Sequence, residues 1–111
     1  MNRKHIGSNV METIREWEKR DPTFRKKVDE YVEKAKLAKM LREIRGKEHM
    51  TQAQLAEKAH VTQSVIARIE TASSRTLPRL DLFNSILHSV GYETHIVARK
   101  RGRTVQAALS A

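Results

Sequence analysis

Two short helix signatures separated by a three-residue turn constrain the fold of this chain most strongly. Thr51-Gln-Ala-Gln54 matches the capping-box pattern, in which the Thr51 hydroxyl caps a helix and the Gln54 side chain returns to the backbone of Thr51. The segment 60–62 breaks this helix, and Thr62 is suited to cap a second one, from Gln63 to about Glu70. Each helix has one apolar face, made of Leu55, Ala56 and Ala59 in the first and of Val65, Ile66 and Ile69 in the second. The pattern predicts a pair of packed helices in an all-α bundle.

The residues before this pair predict further helices. Residues 1–8 are polar and basic, so we expect a loose arm, followed by an amphipathic helix over about 9–20. Asp21-Pro22 is typical of a helix start, since Asp caps and Pro suits the first turn. An apolar stripe then continues to about Glu48 through Phe24, Val28, Tyr31, Ala35, Ala38, Leu41 and Ile44. One long helix and two helices with a bend near Lys34–Lys36 both agree with this stripe, because it contains only alanine there.

The residues after the pair predict a helix and a strand. A polar loop over Thr71–Leu77 leads into a helix that has Pro78 in its first turn and stops at Gly91, and because Arg79 cannot cap this helix, an earlier start near Thr76 is expected as well. Its inward residues are expected to be Leu80, Phe83, Ile86, Leu87 and Val90. Tyr92–Val97 is rich in β-forming residues, and a lone strand needs a partner for its backbone groups, for which we expect the same strand of a second chain. Ala98–Arg103 forms a basic tail, and the last eight residues are expected to be disordered.

Composition narrows the classes of function. The chain has 22 Lys and Arg against 13 Asp and Glu, a formal charge of +9, which favours DNA, RNA or an acidic membrane surface as partner. There is no cysteine, the five histidines lack metal-ligand spacing, and no acidic pair stands in an apolar setting. The sequence therefore predicts a protein without enzymatic activity, metal or cofactor. The lack of an apolar run of membrane-spanning length predicts a cytoplasmic location.

The second helix of the pair has the residues expected of a helix that reads DNA. Burying its apolar face leaves Gln63, Ser64, Ala67 and Arg68 outward. Gln pairs well with adenine and Arg with guanine in the major groove. The backbone amides at the helix starts, Gln52 and Gln63, are suited to bind phosphates.

Met50–Glu70 resembles the Cro/C1 (XRE) helix-turn-helix pattern in the order of its caps, its apolar positions and its turn. The resemblance covers about Leu37–Val90. It implies a lambda-repressor-like DNA-binding fold over residues 37–91, often dimeric, between an N-terminal helical extension (1–36) and a C-terminal strand and tail (92–111). It also implies a buried structural pair between Arg45 and Glu70. His49 and His60 stand where the family often has Gly, so both need a left-handed backbone. The DNA-binding residues that follow from the helix pair and the resemblance are Gln52, Thr62, Gln63, Ser64, Arg68 and Arg75.

Residues 21–25, Asp-Pro-Thr-Phe-Arg, ahead of the amphipathic helix resemble HigA-type antitoxins. That resemblance implies a dimer that represses its own operon and neutralises a RelE-fold ribonuclease toxin. The loop 71–78 and the strand after it also resemble HipB-type antitoxins, which implies a kinase-fold toxin. Trp17, Phe24 and Tyr31 are candidate anchors for such a partner, and packing between the N-terminal helices explains them equally well.

Three hypotheses follow. The first is an antitoxin that binds operator DNA. The second is a stand-alone repressor in which residues 9–36 serve dimerisation. The third is a protein-interaction module that has lost DNA binding. Residues 1–36 hold ten Lys and Arg against seven Asp and Glu, which speaks against binding a basic toxin, although the acidic residues cluster locally.

Overall fold

The computed structural model describes residues 3–110, with side chains described from residue 10 onward. It contains five helices and a two-stranded antiparallel sheet, in agreement with the predicted helical bundle. The elements are α1 (Arg3–Arg20), α2 (Phe24–Lys47), α3 (Gln52–Ala59), α4 (Gln63–Glu70), α5 (Leu80–Ser89), β1 (Thr94–Lys100) and β2 (Arg103–Leu109). The chain divides into two compact units, of which the N-terminal one ends at Glu33 and the C-terminal one begins at Lys34. Within residues 3–110, no helix combines the length and hydropathy needed to cross a bilayer.

The N-terminal unit differs from the sequence expectation at its start. Helix α1 begins at Arg3, so residues 3–8 are helical and not a loose arm, while residues 1 and 2 lie outside the described range. Lys and Arg are good helix formers, and Gly7 costs a helix only about 1 kcal/mol, so it does not stop α1. The break falls at Asp21-Pro22, where an oxygen of the Asp21 carboxylate accepts hydrogen bonds from the Thr23 amide (2.9 Å) and hydroxyl (2.7 Å). Helix α2 then runs without interruption to Lys47, so the apolar stripe forms one long helix and not two helices with a bend.

The core of the C-terminal unit lies between α2, α3, α4 and α5. Each of these helices contributes one residue that is fully buried, namely Leu41, Leu55, Ile66 and Ile86. The rest of the buried cluster consists of Ile44, Ala56, Ala59, Ile69, Phe83 and Leu87. These are the residues that the apolar periodicity selects, so the inward faces of the helix pair were predicted correctly.

The start of α5 was predicted wrongly. The helix begins at Leu80 and not near Thr76, because Arg79 still has an extended backbone (φ −61°, ψ 142°). Leu80 was expected to face inward, but it occupies the first position of the helix and the residue is 52% exposed. Leu82 packs against the core. Gly91 ends this region with a φ of +86°, as expected of a left-handed stop.

The C-terminal segment is a β-hairpin within one chain, which corrects two expectations. Strand β1 pairs with β2 in a register that runs from Thr94 opposite Leu109 to Lys100 opposite Arg103. The strand therefore needs no second chain to pair its backbone, and residues 104–109 are ordered in β2. The turn, Arg101-Gly102, has positive φ at both positions (36° and 79°), which suits a tight two-residue hairpin turn.

Two side chains of α5 hold the open end of this hairpin. The Asn84 amide donates a hydrogen bond to the Ser110 carbonyl oxygen (2.8 Å). The Nε2 atom of His88 lies 2.9 Å from the Leu109 carbonyl oxygen, and because a carbonyl only accepts, Nε2 is the donor. The hairpin is thus attached to the bundle at its base, while residues 95–108 are exposed along both strands.

Candidate nucleic-acid interface

The turn between α3 and α4 sets the position of α4. Helix α3 starts with the predicted capping box: Thr51 Oγ1 accepts from the Gln54 amide (3.1 Å) and Gln54 Oε1 accepts from the Thr51 amide (2.8 Å). The helix ends at His60, whose left-handed backbone (φ 57°, ψ 41°) directs its amide to the Ala56 and Glu57 carbonyl oxygens. The Val61 amide also donates to Ala56 (3.0 Å), and the chain is thereby turned directly into α4. His49 is left-handed as well (φ 54°).

Helix α4 has a buried face and a free face. Ile66 and Ile69 are buried and Val65 is half-buried. Gln63, Ser64 and Arg68 are exposed and lie on one side, since Arg68 is one turn after Ser64. The Arg68 Nε atom donates to the Ser64 carbonyl oxygen (3.4 Å), so the guanidinium group lies along the helix surface. Ala67, expected to face outward, is half-buried, which leaves a polar free face.

Thr62 occupies the N-cap position of α4, but its side chain forms no capping hydrogen bond. Its carbonyl oxygen accepts from the Val65 amide (3.1 Å), and its backbone is extended, as a cap requires. The exposed hydroxyl and the first amides of α4 are therefore left to face solvent or a ligand. Amides at a helix start carry partial positive charge and are suited to bind anions such as phosphate.

Glu70, at the end of α4, connects this helix to α2. Its carboxylate accepts two hydrogen bonds from the Arg45 guanidinium, from Nε (2.8 Å) and from Nη2 (2.9 Å). The Glu70 hydrogen bonds, aided by the charge of its carboxylate, raise the pKa of Arg45 in spite of partial burial. Arg45 also donates to the Met50 carbonyl oxygen (3.1 Å), and Arg42 donates to the Glu70 carbonyl oxygen. The end of α4 is thereby held in place by two side chains of α2.

Gln52 joins the same cluster from the start of α3. Its Nε2 atom donates to Glu70 Oε1 at 3.3 Å, and the residue is half-buried. The Arg45–Glu70 pair therefore orients a residue that we expect at the DNA backbone. Sequence reasoning identified Gln52 and Glu70 separately, but no local pattern joins residues so far apart in the chain.

The loop between α4 and α5 is held by contacts that the sequence did not reveal. The Lys34 ammonium donates to the Arg75 carbonyl oxygen (2.9 Å), and the Thr71 hydroxyl donates to the Ala67 carbonyl oxygen (2.8 Å). Ala72 has a left-handed backbone (φ 54°), a region that residues other than Gly, Asn and Asp adopt at a cost. The Arg75 side chain is exposed and, within residues 10–110, has no ion pair or side-chain hydrogen bond.

The three aromatic candidates lie in the N-terminal unit and have different surroundings. The rings of Trp17 and Phe24 contact each other, with centroids 5.9 Å apart, and the Arg20 guanidinium lies 5.6 Å from the Trp17 ring. Trp17 is nevertheless 49% exposed and Tyr31 is 60% exposed. Packing between helices thus involves Phe24 most, while Trp17 and Tyr31 present apolar surface to solvent.

Residues 41–93 match the family model described as helix-turn-helix. The chain carries a Cro/C1-type (XRE) helix-turn-helix domain. It is a DNA-binding domain of the kind found in regulators, and α3 and α4 are its helix pair. No curated protein matches the chain significantly. Among the described residues, no group of three His, Asp or Glu side chains is placed to hold a metal ion.

Proposed function

We propose that the protein is a sequence-specific regulator of double-stranded DNA that represses its own operon. The observation that carries this proposal is the free face of α4, where Gln63, Ser64 and Arg68 are exposed while Ile66 and Ile69 are buried on the opposite side. A helix held in this way is suited to enter the major groove.

Each exposed side chain has a role in this mechanism. Gln63 binds adenine and Arg68 binds guanine through paired hydrogen bonds, each contributing about 1–3 kcal/mol of discrimination, and Ser64 accepts or donates to a neighbouring base. Gln52, Thr62 and Arg75 contact the phosphate backbone and set the register of the helix on DNA. Two copies act as a dimer, with their α4 helices about 34 Å apart, one turn of B-DNA.

Arg68→Ala tests the role of α4. The preferred site is first selected from a random double-stranded library with the wild-type protein. We expect the variant to lose about 5- to 150-fold in affinity for this site, which corresponds to about 1–3 kcal/mol, and to lose preference at one base pair. Arg15→Ala, an exposed arginine of the N-terminal unit, is the matched control. An unchanged sequence preference in Arg68→Ala contradicts the proposal.

A more specific part of the proposal is that the protein is an antitoxin. Its support is the resemblance to HigA-type antitoxins before residue 37 and the exposed rings of Trp17 and Tyr31 in the N-terminal unit. Large aromatic side chains that are exposed in the free protein are common anchors in protein interfaces. The partner that this resemblance favours is a RelE-fold ribonuclease, with a kinase-fold toxin as the second choice.

Co-expression with the neighbouring open reading frame tests this part. If that frame encodes a growth-inhibiting ribonuclease, wild-type protein should restore growth, and the Trp17→Ala/Tyr31→Ala variant should not, while its DNA binding stays unchanged. A neighbouring gene that is harmless when expressed alone supports the alternative, a stand-alone repressor. Absence of DNA binding with the steep salt dependence that phosphate contacts require supports an interaction module instead.

A further inference from the structure

The tip of the β-hairpin concentrates positive charge. Arg99, Lys100, Arg101 and Arg103 occupy four of five consecutive positions around the turn, and all are exposed. Within residues 10–110, none of these four side chains has an ion pair or a side-chain hydrogen bond. The nearest acidic residue in the sequence, Glu93, stands at the other end of β1, where its carboxylate lies 3.3 Å from His95.

The arrangement of these cations is unfavourable for the isolated hairpin. Lys100 and Arg103 are direct cross-strand partners, and like charges at such positions destabilise a strand pair. Arg101 lies between them with a φ of 36°, a region that side chains other than Asn and Asp adopt at a cost. The described part of the chain provides no anion to offset this repulsion. A bound polyanion removes it.

We propose that the hairpin tip is a second DNA-binding element, which contacts phosphates of double-stranded DNA outside the base pairs that α4 reads. This inference rests on the proposed function, because it adds contacts to the same DNA. The contacts are to the backbone, so the tip contributes affinity and salt dependence without adding base preference.

Double-stranded DNA suits this tip better than other anionic partners. Residues Thr94–Leu109 contain no Phe, Tyr or Trp. Proteins that bind single-stranded nucleic acid stack bases on aromatic side chains, and hairpins that insert at a membrane surface use aromatic residues at the interface. A cationic tip without aromatics is suited to phosphate contact, and a duplex presents phosphates at regular spacing on its outside.

The attachment of the hairpin supports this role. Asn84 and His88 hold its base to α5, and seven residues per strand at about 3.3 Å each place the tip about 20 Å from that base. The charged tip therefore lies away from the bundle, at the end of a hairpin whose base is held in place. Because the base is held, less conformational entropy is lost when the tip binds.

The triple variant Arg99→Gln/Lys100→Gln/Arg101→Asn tests the inference. Asn-Gly is a favoured two-residue hairpin turn, so the variant keeps the turn and should fold. Affinity for the site selected by the wild-type protein is measured across salt concentrations. The slope of log affinity against log salt should become shallower by about 1–3, since each lost phosphate contact changes it by about 0.9. The preferred sequence should stay the same.

The control variant Arg15→Gln/Lys19→Gln/Lys26→Gln removes the same charge from the N-terminal unit. Its slope should equal that of the wild-type protein, and an equal loss in both variants means that net charge alone is responsible, which overturns the inference. An unchanged slope in the hairpin variant overturns it as well. So does a hairpin effect confined to single-stranded RNA or to phosphatidylserine vesicles. Base preference reports on α4 and the salt slope on the hairpin, so failure of this inference is distinguishable from failure of the proposed function.

Discussion

Removal of one partner from the Arg45–Glu70 pair tests the account of how α4 is held. In Arg45→Met, the Glu70 carboxylate loses two charge-assisted hydrogen bonds and retains one, from Gln52. The Glu70 side chain is only 2% exposed, so water cannot replace them. Breaking a buried ion pair in this way costs about 3–5 kcal/mol. Because the Arg45 side chain is 25% exposed, we expect the lower end, about 3 kcal/mol.

The assay is equilibrium unfolding in urea followed by far-UV circular dichroism, which reports on the helices of both units. In thermal unfolding followed by the same signal, the melting temperature should fall by about 12–24 °C, at about 4–8 °C per kcal/mol for a domain of this size. Trp17 fluorescence is not a suitable probe here, since this residue belongs to the N-terminal unit.

Two further variants separate the buried charge from general loss of contacts. The double variant Arg45→Met/Glu70→Met removes both charges, so it should be more stable than the single variant by at least about 1 kcal/mol. Arg42→Met removes only the bond to the Glu70 carbonyl oxygen and should cost less than about 1 kcal/mol, because Arg42 is exposed. The reasoning is refuted if Arg45→Met lowers the free energy of unfolding by less than about 1 kcal/mol, or if the double variant is less stable than the single variant.

Three smaller predictions concern backbone and caps. His60→Gly should raise the free energy of unfolding by about 1 kcal/mol in urea denaturation, because the left-handed backbone at φ 57° suits glycine; a loss of stability contradicts this. Thr51→Ala should lower it by about 1 kcal/mol through loss of the capping box, and an unchanged unfolding midpoint would count against the cap. Hydrogen bonds from the Thr23 hydroxyl and amide and from Lys27 lower the pKa of Asp21 from 3.8 to about 2. The stability that the Asp21 carboxylate contributes is therefore complete above pH 3.8 and is lost as the pH falls towards 2. In an acid titration followed by Trp17 fluorescence, the Asp21→Asn variant should depend less on pH than the wild-type protein.

Local sequence signals predicted the helix pair well. The capping box at Thr51 and the apolar positions Leu55, Ile66 and Ile69 determine where α3 and α4 lie and which faces they bury, because helix periodicity and caps depend on residues three or four apart. The same local logic failed at Leu80, since the first turn of a helix has no preceding turn to set which way its side chains face. It failed again at the hairpin, where the signal was present: Arg101-Gly102 lies between two β-forming segments, and the basic residues around it were interpreted as a tail.

Local sequence patterns were enough to predict α3 and α4, their inward faces and the polar set Gln63, Ser64 and Arg68 on α4. The Arg45–Glu70 pair was implied by the family resemblance, but only the folded chain shows that Gln52 joins this pair and that Lys34 holds the loop at Arg75. These contacts link residues 18 to 41 positions apart. Their formation depends on the burial of a shared core that brings the helices together, and no short window of sequence contains that information.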